Sequence, residues 1–290
     1  MYKNIEINKI YCEPCLDTVS RMPDNFLDCV ITSPPYWQLR DYGYEGQWGL
    51  EPTYREYLEH LWSLMDAVYP KLKDGGTVWI NLGDSYSTQS GTNVALSKGL
   101  DVKHYTARLQ NRGESGKLIK DKNLPNKCLL LIPHRFAIGC IERGWVLRND
   151  IVWAKRNGTP ESVTDRFSKK HEYMFFFVKN EKYHFDLNAV KDRNEQGGRN
   201  PGTVSDFWDI PTKPNKLNHF ATYNESLISK PILAGCPEGG IIYDPFMGTG
   251  STAEAAFKAG RKYIGSEMSE EYCKIAEKRL KALTSQLNLF

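Results

Sequence analysis

Thr32, Ser33, Pro34, Pro35 and Tyr36 put a hydroxyl acceptor, two donor-free prolines and an aromatic face on consecutive residues. Paired prolines fix φ and remove two backbone donors, so the carbonyls of such a turn are free to face a ligand. Ser33 adds a side-chain acceptor beside them, and Tyr36 adds a π-face. That set suits an amino group carried on a planar ring, such as an extruded nucleobase. A proline turn that closes a strand over a packed tyrosine has the same sequence, and the pentapeptide alone leaves both readings open.

A second motif lies near the other end. Gly240-Ile241-Ile242-Tyr243-Asp244 runs into Pro245-Phe246-Met247-Gly248-Thr249-Gly250-Ser251-Thr252 and an alanine-rich stretch, 253–259. This reads as strand, glycine turn and helix. Gly248 and Gly250 let the backbone pass close to a ligand, and the helix start offers unpaired N–H groups. The next apolar run, 262–266, ends at Glu267, whose carboxylate could accept both hydroxyls of a ribose. Gly248, Gly250 and Ala253 also fit the G-x-G-x-x-A spacing of dinucleotide oxidoreductases. Only 268–290 follow Glu267, so the sheet must take its other strands from earlier sequence, in a circularly permuted order. No lysine follows Gly250, which excludes a G-x-x-x-x-G-K-[ST] phosphate loop. The expected ligand is a nucleoside without phosphates.

In this order the two motifs resemble those of the permuted β group of amino-methylating DNA methyltransferases, the N-4/N-6 DNA methylases. There Ser/Asp/Asn-Pro-Pro-Tyr/Phe precedes Asp-Pro-Phe-x-Gly-x-Gly. Segments 37–51, 75–86, 144–155 and 159–166 also look like that family, so the likeness covers most of the chain. It implies an α/β, Rossmann-like S-adenosylmethionine-dependent methyltransferase fold. The expected sheet is mostly parallel and seven-stranded, with helices on both faces and inserted DNA-recognition segments. Serine before Pro-Pro-Tyr resembles the cytosine-N4 enzymes and aspartate the adenine-N6 enzymes. The implied reaction is therefore methyl transfer to the N4 amine of a flipped cytosine in double-stranded DNA, with adenine N6 as the alternative. Implied too are a cognate restriction endonuclease acting on the same site, a monomeric or homodimeric state, and a cytoplasmic, prokaryotic or phage-encoded setting.

An exocyclic amine is a poor nucleophile because its lone pair is delocalised into the ring. Acceptors for both N–H bonds draw that pair back onto nitrogen, a role expected of the Ser33 hydroxyl and the Pro34 carbonyl, beside Pro35. Tyr36 would stack on the base, with Trp37 as a second wall. By the resemblance, Asp244, Phe246, Gly248, Gly250, Ser251 and Thr252 hold the methionine and adenosine parts of the cofactor, with Glu267 on the ribose. Thr32, Cys15, Phe220, Ala221 and Thr222 complete that side. Relatives often carry Gly-Asp-Cys where this chain has Glu13-Pro14-Cys15, which puts adenine recognition there in doubt. The Pro14-Cys15 pair also suggests a cytosine-C5 thiolate enzyme, but the other motifs of that class do not follow.

The elements that must position these groups can be read coarsely. Strands are expected at 9–12, 27–32, 77–82, 145–153, 173–178, 241–244 and 262–266. Helices are expected at 54–72, 133–143, 225–234 and 270–283, with a turn at Asp74-Gly75-Gly76. Alternating strands and helices imply a mostly parallel sheet covered on both faces. The 290 residues, 40% hydrophobic, suffice for one catalytic domain spanning 1–290. No stretch approaches the ~20 apolar residues that span a membrane. Seven cysteines with a single C-x-x-C, Cys12 and Cys15, suit free thiols in a reducing compartment and give no zinc site.

Net charge is +3 but unevenly spread. A mobile basic loop is expected at 84–127, with Lys117, Lys120 and Lys122 meeting DNA; a solvated loop is the plainer reading. A target-recognition region is expected at 156–218, where Arg156, Arg166, Lys169, Lys170 and Arg199 join Arg40 as DNA contacts. A methyltransferase for another substrate, a non-catalytic DNA binder and an oxidoreductase remain as alternatives.

Overall fold

The computed structural model describes residues 5–87, 124–158, 161–191, 204–212 and 225–287. Among the described residues eight strands form one sheet: β1 Lys9–Tyr11, β2 Leu27–Thr32, β3 Leu72–Leu82, β4 Val146–Ala154, β5 His171–Val178, β6 Phe207–Asp209, β7 Ile241–Asp244 and β8 Lys262–Ser266. Their spatial order is β1-β8-β7-β2-β3-β5-β4-β6. Only the β3–β5 and β5–β4 pairings are antiparallel.

The helices follow local chemistry. α1 is Cys15–Ser20 and α2 is Tyr54–Val68. Thr53 caps α2 by accepting from the Glu56 amide at 3.2 Å, while the Glu56 side chain reaches back to the Thr53 hydroxyl. The helix stops short of the expected residue 72 because Pro70 cannot continue it. α3 is Ile132–Glu142, α4 Glu225–Gly235, α5 Ser251–Lys258 and α6 Glu270–Leu287. On one face of the sheet Val19, Leu58, Leu61 and Phe136 from α1 to α3 close a core over Val30, Val78 and Phe175. On the other face Leu227, Ile232, Ala253, Ala256 and Ala276 from α4 to α6 cover Ile31, Trp79 and Phe176. Doubly covered strands explain the continuous apolar runs in β2, β3 and β5.

Two expectations need correction. The sheet has eight strands, because β6, only three residues with Trp208 alone buried, pairs with β4 at the edge. Asp74-Gly75-Gly76 is not a turn before a strand but part of β3, where the Gly75 carbonyl accepts from His184 N at 2.9 Å. The span 156–218, expected to hold the target-recognition region, also supplies β5, inside the sheet as the strand at 173–178 leads one to expect, and β6 at its edge. Most of the basic loop, 88–123, lies outside the described residues.

Candidate active site

β2 and β7 are parallel neighbours. From β2 the chain passes through α2 to β3 on one side, and from β7 through α5 to β8 on the other. Neighbours that depart in opposite directions leave a crevice beyond their carboxyl ends, where open α/β sheets bind ligands. A cavity of about 560 Å³ fills that crevice. Ser33, Pro34, Pro35 and Tyr36 line one part of it, and Phe246, Gly248, Ser251 and Glu267 line another.

The loop after β7 is built around a carboxylate. Asp244, with no solvent exposure, accepts from the Thr32 hydroxyl at 2.6 Å, the Phe246 amide at 3.0 Å and the Thr252 hydroxyl. One buried acid thereby ties the end of β2, the glycine loop and the first turn of α5 together. Thr32, Asp244 and Thr252 thus form a brace at the floor of the site, next to Phe246, Gly248 and Ser251 on the cavity wall. Gly250 stands at φ +86°, where a Cβ would lie 2.9 Å from Ala276 Cβ. Gly248, at φ +56°, differs: a Cβ there would meet nothing within 4 Å. It presents bare backbone to the cavity, the cradle a ligand would fill.

Glu267 is held by two backbone donors, Gly248 N and Ser269 N, both at 2.8 Å. Burial still raises its pKa. Its carboxylate on the wall suits ribose hydroxyls, and the apolar surfaces of Phe246, Leu16 and Cys15 suit an adenine ring. These residues fit a nucleoside sulfonium. Burial pushes the Cys15 thiol up to about 12, which opposes a thiolate nucleophile. Glu13 turns away, accepting from Thr18 at 2.7 Å and pairing with Arg21, so Pro14, Cys15 and Leu16 form that wall instead. Phe220, Ala221 and Thr222 lie outside the described residues.

The other half is a polar chain on the tips of β2, β3, β4 and β5. Asn81 Nδ2 donates to the Tyr173 carbonyl at 3.0 Å, which orients Oδ1 toward Ser33 at 3.3 Å and the Tyr36 hydroxyl at 2.9 Å. Tyr36 donates to Glu172 at 2.7 Å, and Glu172 pairs with Lys155. The Tyr36 phenol is raised by burial and the adjacent carboxylate. Gly83 packs on its ring, with room for no Cβ: one would lie 2.6 Å from Tyr36 Cε2. The Pro35 carbonyl accepts from Tyr57 at 2.8 Å. Among the described residues no donor bonds the Pro34 carbonyl. Ser33 lies 3.3 Å from Asn81 Oδ1 and lines the cavity beside it, a neutral hydroxyl that keeps acceptor capacity.

Asn81, Glu172 and Lys155 line the cavity and were not singled out from the sequence. Their signal was there: Asn81 and Glu172 are polar residues near the ends of strands β3 and β5, and Lys155 directly follows β4. Segment 39–48 was also missed as a wall. Gln47 Oε1 gathers the amides of Tyr42 and Gly43 at 2.8 and 2.9 Å, and Trp48 stands between His60 and Phe246.

The expected DNA contacts divide. Trp37 packs in the core: it is 7% exposed, donates to the Glu51 carbonyl at 3.0 Å and meets the edge of Tyr54. Arg40 lines the cavity beside Tyr42. Arg156 pairs with Asp209, and Arg166 with Glu161. Lys169 bonds the Asp84 carbonyl, with burial lowering its pKa, and Lys170 bonds the Gly158 carbonyl at 2.6 Å. Lys117, Lys120, Lys122 and Arg199 lie outside the described residues.

A sequence model described as DNA methylase matches residues 27–278. The chain is 39% identical over 266 residues to the Type II methyltransferase M.Cfr9I of Citrobacter freundii, covering 91% of this chain and 85% of that one. It is 36% identical over 277 residues to the Type II methyltransferase M.SmaI of Serratia marcescens, covering 96% and 92%. Among solved structures it resembles the PvuII DNA methyltransferase, described as cytosine-N4-specific, with a TM-score of 0.67 at 18% identity over 93% of this chain and 84% of that one. It also resembles a putative DNA modification methylase of Thermus thermophilus complexed with S-adenosyl-L-methionine, with a TM-score of 0.62 at 21% identity over 93% and 92%.

Proposed function

This chain belongs to the DNA methylase family, and from that premise we propose that it methylates the exocyclic N4 amine of a cytosine extruded from duplex DNA. The observation that carries the reading is Ser33 on the cavity wall, a neutral hydroxyl 3.3 Å from Asn81 and beside the unbonded Pro34 carbonyl. S-adenosylmethionine, when bound, supplies the electrophilic methyl carbon. The chain's own residues do the rest. Ser33 and Pro34 accept the two amine hydrogens, which localises the nitrogen lone pair for attack. Gly248 and Glu267 fix the donor side, and the Thr32–Asp244–Thr252 brace holds that side in register with Ser33. Proximity in the crevice then supplies several kcal/mol, with no covalent enzyme intermediate.

Three features favour cytosine over adenine. Ser33 stands where the adenine-N6 relatives carry an aspartate, and the PvuII enzyme of similar fold is described as cytosine-N4-specific. Lys155, on the cavity wall, is a donor suited to the cytosine O2, where adenine offers only C–H. The likeness to Type II methyltransferases supports a cognate restriction endonuclease acting on the same site. Ser33→Ala tests the assignment. It should abolish transfer of labelled methyl to DNA while leaving cofactor binding, measured by calorimetry, near wild type; equal turnover would sink the role given to Ser33.

A further inference from the structure

Phe167 is 98% exposed, the most exposed of the large apolar side chains among the described residues. It forgoes the stabilisation that burying a phenylalanine ring brings. A lone apolar residue on a surface is ordinary, but the mounting of this one is not. The loop that carries it is fastened on both sides. Arg166 lies 4.1 Å over the Tyr86 ring and donates to Glu161 at 2.7 Å and to the Phe167 carbonyl at 3.0 Å. Lys169 bonds the Asp84 carbonyl, Lys170 bonds Gly158, and Lys155 N donates to the Lys170 carbonyl at 2.8 Å.

Those anchors place the loop at the mouth of the site. Asp84 follows Asn81 and Gly83, which hold Ser33 and Tyr36, while Gly158 and Glu172 line the cavity itself. Arg166, paired with Glu161, and the exposed Lys170 flank the ring, and a basic rim suits an anionic partner. A base drawn into the cavity leaves a gap in its duplex. Minor-groove and architectural proteins show that apolar side chains can occupy such gaps between base steps. From this geometry we propose that Phe167 is the wedge that enters the duplex and fills the space left by the extruded base. The inference rests on the reading that the substrate is duplex DNA.

The fixed backbone is what makes the ring effective, since a wedge already held in place loses little freedom on entering the stack. Removing it should cost the stacking of about one base step, which corresponds to about 10- to 100-fold in kcat/KM on a paired duplex.

The experiment compares wild type, Phe167→Ala and Phe167→Trp on two duplexes that carry the methylated site, mapped by modified-base sequencing. One duplex is fully paired, and the other has an abasic position opposite the target base, which lowers the cost of extrusion. Phe167→Ala should lose activity on the paired duplex and regain most of it on the abasic one. Phe167→Trp should stay near wild type, and melting temperature and cofactor affinity should not move. Wild-type activity of Phe167→Ala on the paired duplex, or an equal loss on both, would overturn the wedge. Methyl found on adenine in the wild-type reaction would instead sink only the cytosine assignment, with the abasic position then set opposite that adenine. Absence of wild-type transfer to any duplex would overturn both.

Discussion

Thr32→Val tests whether the buried Asp244 is a brace. The substitution keeps shape and removes one hydroxyl, 2.6 Å from the carboxylate. A hydrogen bond to a charged group contributes about 1.5–3 kcal/mol. For a chain of this size each kcal/mol moves the melting temperature by roughly 2 °C, so the apo protein should melt about 3–6 °C lower. The same carboxylate holds the Phe246 amide, so the glycine loop should relax and cofactor affinity should fall about tenfold, or ~1.4 kcal/mol. Thr252→Val removes the other hydroxyl from the same acid, and the two changes should be non-additive because they share one partner. Scanning calorimetry of the apo protein and titration with S-adenosylmethionine measure both effects. Wild-type melting and affinity would refute the brace. Lost affinity with unchanged melting would mean that Thr32 touches the ligand itself.

Other perturbations address the remaining groups. Tyr36→Phe keeps the ring but loses the bond to Glu172, so single-turnover transfer should slow about tenfold with cofactor affinity unchanged, whereas Tyr36→Ala should leave no measurable transfer. Burial raises the Glu267 pKa, so the folded apo protein holds that proton more tightly than the unfolded chain. The stability it contributes is full below the unfolded pKa and lost as pH rises through the folded one. Cofactor binding uses the charged form, so affinity measured by calorimetry should fall on acidification at a pH above the ordinary glutamate range; a flat profile there would contradict the ribose role. Trp37→Phe should cost about 1 kcal/mol of stability through its lost bond to the Glu51 carbonyl, with DNA affinity unchanged. A drop in DNA affinity alone would return Trp37 to the substrate surface.

Much of the fold was legible because apolar periodicity and proline punctuation are local. Buried runs at 27–32 and 77–82 read as doubly covered strands, and the T-x-x-E start of α2 was present in the sequence. What escaped was set by tertiary contact. α1 and β6 are too short to show a period, and the pairing of Gly75 with residue 184 cannot be seen from the Gly-Gly pair. In the site, the acid at the end of β7 was legible but not the direction its carboxylate takes. Asp244 and Glu267 both end strands beside the glycine loop; only packing shows that one faces inward to threonines while the other faces the cavity. Asn81 and Glu172 were hidden because they reach Tyr36 from 45 and 136 residues away.

The central claim is that Ser33 and Pro34 receive a cytosine amine beside the methyl donor. Wild-type protein incubated with DNA and isotopically labelled S-adenosylmethionine, followed by mass spectrometry of the digested nucleosides, reports base and atom together. The label should appear in N4-methylcytosine. Label in N6-methyladenine would contradict the base assignment, and label absent from DNA would contradict the account as a whole.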